Sequence, residues 1–190
     1  NLPISVSFDI QKYIDMARKG GILTPLDLDH VANDILVTNA LFNYFGHLEK
    51  HLYPELINLA NQLVDISSLE REIHRCISPS LSLNDNASDE LLKIRRAILK
   101  LEGSIRGMTS SLINTYKDYL SDTSITIRND HFVLQVRSSE KNKVPGVIHD
   151  VSDSGQTTFI EPNALVDLSN QLYLLHKNEK EEITRLLKEI

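Results

Sequence analysis

The 190-residue chain carries 20 Lys and Arg against 26 Asp and Glu, a net charge of −6, and 41% of its residues are apolar. That is enough apolar material for at least one sizeable core, and the charge balance excludes a global basic field of the kind that by itself draws a protein to nucleic acid. Cys76 is the single cysteine, which rules out an intrachain disulfide, and no run of 18 apolar residues is present to span a membrane. With no signal-like N-terminus the chain reads as cytoplasmic. It begins without Met and stops inside a helical pattern, ITRLLKEI, so it is expected to be a segment of a longer protein.

In chain order, Ser7 is placed to cap a short helix with Ile10, Ile14 and Ala17 along one side, ended by Gly20-Gly21. Four signals then agree on a second start: Thr24 as cap, Pro25 at the first helical position, Asp27 reaching back, and Leu23 stapled onto Leu28. This helix should run to about Phe45 with Leu28, Val31, Ile35, Thr38, Phe42 and Phe45 inward, and Gly46 breaks it. Pro54 opens a helix with Leu56, Leu59 and Leu63 inward. Ser67 and Glu70 read as a capping box for one carrying Leu69, Ile73 and Ile77. The following SPSLSLNDNAS is dense in turn formers and is taken as a module boundary.

From Ser88 to about Leu120, apolar residues fall at Leu91, Ile94, Ile98, Leu101, Ile105, Met108, Leu112 and Tyr119, alternating three and four apart, with Thr115 filling one slot. A heptad seam of that length predicts a helix of roughly 50 Å at about 1.5 Å per residue, which needs a partner. The partner is Leu165, Leu168, Leu172 and Leu175, interrupted at Glu179 and resumed at Ile183, Leu186 and Ile190. Gly103 and Gly107 mark either close helix approach or a bend. Between the two helical patterns the sequence alternates. Ile125 and Ile127 face Phe132, Leu134 and Val136 across an Asn129-Asp130 turn, and Val147–Val151 faces Thr157–Ile160 across Ser152–Gly155. The reading is four short strands with a solvated loop, RSSEKNK, between the hairpins, and Glu161-Pro162-Asn163 closing the sheet.

Few residues here carry a catalytic pattern. The seven glycines never approach a phosphate-cradling G-x-x-x-x-G-K loop. His47 and His51 in HLEKH lack the order of a zinc-protease motif and read as surface histidines. Cys76 and His74 are two apart, about 200° around a helix, so a nucleophile and base pairing is disfavoured. Asp150, Asp153 and His149 are weighed as acid, base or metal ligands, against turn chemistry for Asp153. Lys93, Arg95, Arg96, Lys100 and Arg106 read as the solvated flank of the coiled coil. Arg128, Arg137, Lys141 and Lys143 are the candidates for phosphate contact. Against them stands the plain reading of a charged loop, because Asp130, Glu140 and Asp150 are interspersed among them.

The strings SLEREIHRCIS, ASDELLKIRRAILKLEGSI, ITIRNDHFVLQV and VPGVIHDVSDSGQTTFIEP, followed by a Leu- and Asn-bearing helix, resemble the core, lever and clamp region of the MutS family. The resemblance runs from about Gly20 to the end and is closest to the second bacterial subfamily, whose members lack the mismatch-reading N-terminal domain. The chain departs from that pattern at Asp89 and Gln135, where Pro is usual, and at Val151, Asp153 and Gln156, which stand for Gln, Ala and Ala. The resemblance implies a mainly α fold: a helical core over residues 1–80, a descending lever helix over 81–123, a small antiparallel β clamp over 124–162 and an ascending lever helix over 163–190. It implies a parent that is a homodimeric, DNA-binding ATPase, with ATP and Mg bound outside this chain and in some members an endonuclease module. The segment itself is expected to hold no catalytic, cofactor or metal site. Its expected partner is double-stranded or branched DNA, in repair or recombination control, with no membrane. The alternative is an interaction arm that docks on a protein or ribosome surface in ribosome rescue.

Overall fold

The computed structural model describes residues 7–47, 51 and 53–190. The chain is mainly α with one small antiparallel sheet. Its residues group into two compact units, Asn1–Leu92 with Glu181–Ile190, and Lys93–Lys180. Among the described residues no helix is long and apolar enough to cross a membrane.

The first unit contains α1 (Gln11–Arg18), α2 (Pro25–Gly46), α3 (Pro54–Ala60) and α4 (Ser67–Cys76), the start of α5 (Asp89–Tyr116) and the last turns of α6 (Asn163–Glu189). The start of α2 follows its sequence signals closely. The Asp27 N–H donates to Thr24 Oγ1 at 3.2 Å, the Thr24 N–H donates to Asp27 Oδ2 at 3.0 Å, and Leu23 and Leu28 are buried in one cluster. Upstream, Gly20 takes φ +76, a left-handed conformation that lets its N–H close on Ala17 O at 2.9 Å and ends α1. Ser7 does not cap α1. The Gln11 N–H donates to Asp9 Oδ1 instead, and the buried residue is Tyr13 rather than Ile14 or Ala17, with its hydroxyl 2.8 Å from His30 Nδ1.

Two further expectations are corrected. In α3 the inward residues are Ile57 and Ala60, while Leu56 and Leu59 are exposed. A helix of seven residues is under two turns, so it presents one i, i+3 pair to the core and its other apolar residues point away. Ser67 and Glu70 make no capping box: Asp65 Oδ1 accepts both the Ser67 N–H (2.9 Å) and its hydroxyl, and Glu70 lies 2.5 Å from His74 Nδ1. The serine-rich segment after α4 is tied to this unit by Leu83, which bridges Ile77, and by Ala87, both buried with Leu91 and Leu186.

Ser88 connects the two long helices. Its hydroxyl accepts the Leu91 N–H at 3.0 Å, as an N-cap does, and donates to Glu182 Oε1 of α6 at 2.7 Å. Arg185 donates to both oxygens of the same carboxylate, each at 2.7 Å. Arg185 is the largest influence and, with Ser88 adding to it, overcomes the opposing cost of burial, so Glu182 is held down at a pKa of about 2.

In the second unit α5 continues to Tyr116, a 3-10 turn spans Lys117–Tyr119, and the sheet follows: β1 (Leu120–Arg128), β2 (His131–Arg137), β3 (Gly146–Val151) and β4 (Thr157–Pro162), ordered β1-β2-β4-β3 and antiparallel throughout. Both predicted hairpins are present. Asn129 and Asp130 take φ 51 and φ 65, the two positive values that a two-residue hairpin turn of matching twist requires. The loop between the hairpins is a 3-10 helix, Ser138–Lys143.

The α5–α6 seam is formed by Ile94, Ile98 and Ile105 with Leu165 and Leu172, flanked by Leu101, Leu112, Leu168 and Leu175. Arg95 Nε meets Glu179 Oε1 at 2.7 Å, so the acidic residue that interrupts the leucine spacing pairs across the helices. Met108 is half exposed, and Thr109 takes its place, fully buried with its hydroxyl on Ile105 O. The cause is geometric: at about 100° per residue, Thr109 lies five whole turns from Leu91, whereas a strict seven-residue count drifts by about 20° per heptad. Gly103 and Gly107 face open space, so neither marks a close helix approach. The end of α5 supplies Leu112, Ile113 and Tyr116 to the core of the sheet, with Leu120, Leu134, Val136, Val144 and Ile160.

Glu182 gives this fold a pH signature. Its folded pKa is depressed, so its contribution is fully present above the ordinary carboxylate value of 4.5 and is lost as pH falls toward about 2. Denaturant midpoints of the protein and of Glu182→Gln, compared at several acidic pH values, should show a stability gap that is constant above that range and closes through it.

Candidate functional site

The four basic residues read from the sequence lie on the sheet and on the 3-10 helix between its hairpins, and they meet three different environments. Arg128, at the end of β1, places its guanidinium carbon 4.5 Å from the Phe159 ring centroid, with Nε 3.5 Å from Asp150 Oδ2. It is therefore stacked and partly neutralised while still 43% exposed. Arg137, at the end of β2, spends its guanidinium on backbone: one nitrogen donates to Leu120 O at 2.9 Å and another to Asp118 O. Those carbonyls belong to the junction where the 3-10 turn after α5 becomes β1, so Arg137 secures the entry to the sheet. Lys141 and Lys143 are exposed on the 3-10 helix between the hairpins.

A second cluster was not read from the sequence. His149 Nε2 lies 2.9 Å from Glu161 Oε2, and His131 Nδ1 lies at the same distance from the same oxygen. The two imidazoles stack, with centroids 4.2 Å apart and planes 23° from parallel. The His149 contact is a directional hydrogen bond; the His131 nitrogen sits off the line of one and is buried without a hydrogen-bonded partner. Glu161 Oε1 and Ser169 Oγ are likewise buried without one. Glu161 is 1% exposed. Burial is the largest influence on its carboxyl and pushes the pKa up, yet the Ser169 hydroxyl and the two imidazoles together hold it below the ordinary value.

Local structure explains the convergence. His131 follows directly on the Asn129-Asp130 turn, and the Asn129 side chain donates to His149 O at 3.3 Å. On β3, Ile148 pairs Ile160 and Asp150 pairs Phe159, which leaves His149 as the extra residue of a bulge, a device that re-aims a side chain. Gly146 permits the close approach: a Cβ there would fall 2.1 Å from Glu161 O. Spacings of 18 and 12 residues carry no ligand signature, so strand register alone brings these groups together. The signal in the sequence was two histidines and a glutamate on apolar strands, where a charged side chain needs a partner.

The other candidates stay apart. His149 pairs with Glu161 rather than with Asp150 or Asp153; Asp150 accepts its neighbour's Val151 N–H, and Asp153 is exposed in the turn. Cys76 is buried, which is the largest influence pushing its thiol up, and His74 is engaged with Glu70. His47 lies against Asn43 O; Glu49 of HLEKH is outside the described residues. Of the flank cations, Arg95 crosses to Glu179 and Arg106 lies 3.8 Å from Glu102.

Compared with known proteins, the chain matches no family model. It is 39% identical over 188 residues to the Endonuclease MutS2 of Clostridium botulinum strain Eklund 17B, covering 98% of this chain and 24% of that protein. The resemblance is to the MutS family, in its MutS2 branch. Endonuclease MutS2 of Clostridium beijerinckii is 38% identical across all of this chain, and that of Geobacillus sp. strain WCH70 is 35% identical, with 24% and 25% of those proteins covered. The chain thus spans about a quarter of the length of the MutS2 relatives it matches.

The contacts of Arg137 separate it from its basic neighbours. Arg137→Ala leaves two carbonyls at the sheet entry without their donor and should cost about 1 kcal/mol or more, while Lys141→Ala and Lys143→Ala should stay within about 0.5 kcal/mol, as read by chemical denaturation.

Proposed function

We propose that this chain is the lever and clamp region of a MutS2-like DNA-binding ATPase, with α5 and α6 as the lever and the four-stranded sheet as the clamp that closes on a nucleic-acid backbone. The observation that carries this reading is the way the sheet is joined to the helix pair. α5 enters β1 through a single 3-10 turn, β4 runs directly into α6, and the end of α5 is built into the sheet's own core. A tilt of the paired helices would therefore carry the sheet with it rather than be absorbed in a linker. ATP hydrolysis elsewhere in the protein would supply the tilt, with Mg2+ at that site, and catalysis would lie outside this segment.

Contact would be to phosphate rather than to bases. Arg128 is a stacked, oriented guanidinium, and Lys141 and Lys143 are exposed point charges, a set suited to positioning a duplex without sequence readout. Arg137 contributes chiefly by holding the sheet entry in shape. The name Endonuclease borne by the MutS2 relatives supports a nucleic-acid partner for the whole protein.

A second reading has its own support. The edge strands leave Ile125 and Ile127 on β1 and Val147, Ile148 and Val151 on β3 exposed, an apolar rim suited to docking on a protein or ribosome surface. Crosslinking in cells from these edges separates the two, since the first reading gives DNA adducts at the sheet and the second gives protein or rRNA.

The direct test is binding of the intact protein to linear and branched duplex DNA, with Arg128, Arg137, Lys141 and Lys143 changed to Ala singly and together. The clamp reading expects affinity to fall about equally for all sequences, and the slope of log K against log salt to flatten by about 0.9 for each phosphate no longer neutralised. Unchanged affinity and slope would remove the sheet from the mechanism.

A further inference from the structure

The cluster on the sheet supports an inference that does not depend on the clamp reading. We propose that His131, His149 and Glu161 form a binding site for one divalent transition-metal ion of the zinc class, which staples β2, β3 and β4 together.

The first argument is geometric. The three ligand atoms lie within 4.8 Å of one another, and each imidazole nitrogen is 2.9 Å from the same carboxylate oxygen. Ligands at about 2.0–2.1 Å around a tetrahedral ion stand about 3.3 Å apart, so each imidazole needs to move from the carboxylate oxygen by only about 0.4 Å to admit an ion, with rotation of the exposed His131 ring setting the distance between the two nitrogens. Two imidazoles and one carboxylate favour zinc and its neighbours over magnesium or calcium, which take oxygen ligands.

The second argument is the unmet demand of the site. A carboxylate 1% exposed is costly unless paired, and here Glu161 Oε1 is buried without a well-formed hydrogen bond, so Ser169 and the two imidazoles, which favour its charged form, satisfy it only in part. Among the described residues the ionic partners of Glu161 are these two imidazoles, each charged only when protonated. A cation would meet the carboxylate and both nitrogens at once, leaving Ser169 to orient the carboxylate from outside the ligand set.

The third argument is access. The His131 side chain is 33% exposed and, with Ser169, it lines a groove of about 670 Å³ that also includes Phe132 and His176. An ion can enter by that groove, and water can occupy a fourth coordination position from it. Because the ligands come from three strands, occupancy would oppose separation of the two hairpins.

Zn2+ alone, titrated into chelator-treated protein, is the test. One ion per chain should bind, the melting temperature should rise by about 5 °C or more at hundredfold excess over Kd, and Co2+ in place of Zn2+ should give the visible absorption of a four-coordinate site. His131→Gln changes the most accessible ligand with the least risk to folding, and should lose at least about tenfold in affinity, whereas His47→Gln and His51→Gln should leave it unchanged. His149→Gln should behave like His131→Gln. The proposal is overturned if binding does not saturate, or if the folded His131→Gln protein binds Zn2+ as tightly as the parent.

Discussion

The apolar seam between α5 and α6 is the contact on which the second unit depends. Its residues are some 70 positions apart in sequence, and the entire sheet is inserted between them. A long helix gains most of its stability from packing one face rather than from propensity, so each of these two needs the other. Gly103 and Gly107 sharpen the point, since each weakens α5 by about 1 kcal/mol relative to Ala and at neither would a Cβ meet a neighbour that required its absence. The Arg95–Glu179 pair sits in the seam where a leucine would otherwise continue the repeat. A leucine seam alone tolerates sliding, whereas a charge pair across the helices favours the register in which its two partners meet.

The sheet is organised from its centre outward. Its two central strands, β2 and β4, carry the buried residues, and its edges carry the exposed ones. Because β4 passes straight into α6, the buried end of β4 is where sheet, bulge and helix converge, and Glu161 stands at that point. Burying an ionisable group there is expensive, and Ser169 and the two histidines offset part of the cost. Arg137 does comparable work at the opposite junction, holding the carbonyls where α5 gives way to β1. Both junctions between helices and sheet are thus closed by polar side chains whose partners lie within the unit.

Much of this was legible in the sequence, for reasons that are local. The Thr24 cap, the Asn129-Asp130 turn and the two alternating hairpins are each fixed by residues within a few positions of one another. The helix pair was legible because two distant segments carry the same spacing. What failed was of three kinds. Ser67 and Ser7 have the right residue type for a cap, but the Ser67 hydroxyl is spent on Asp65 and α1 begins only at Gln11, whose N–H is taken by Asp9. Leu56 and Leu59 follow helical spacing, but the helix is too short to use it. Met108 follows the heptad count rather than the true turn of the helix. Ionisable residues on apolar strands hinted at a partner for Glu161, but which groups converge on it depends on strand order and on a bulge that shifts register by one residue.

The architecture of the second unit rests on the two long helices meeting antiparallel in one register, with Arg95 opposite Glu179. A double-mutant cycle on Arg95→Ala and Glu179→Ala, read by chemical denaturation, measures that directly. Facing residues in this register should show a coupling of about 0.5–1 kcal/mol. Additivity to within about 0.3 kcal/mol, the behaviour of residues with no shared partner, would contradict the pairing and its role in setting the register.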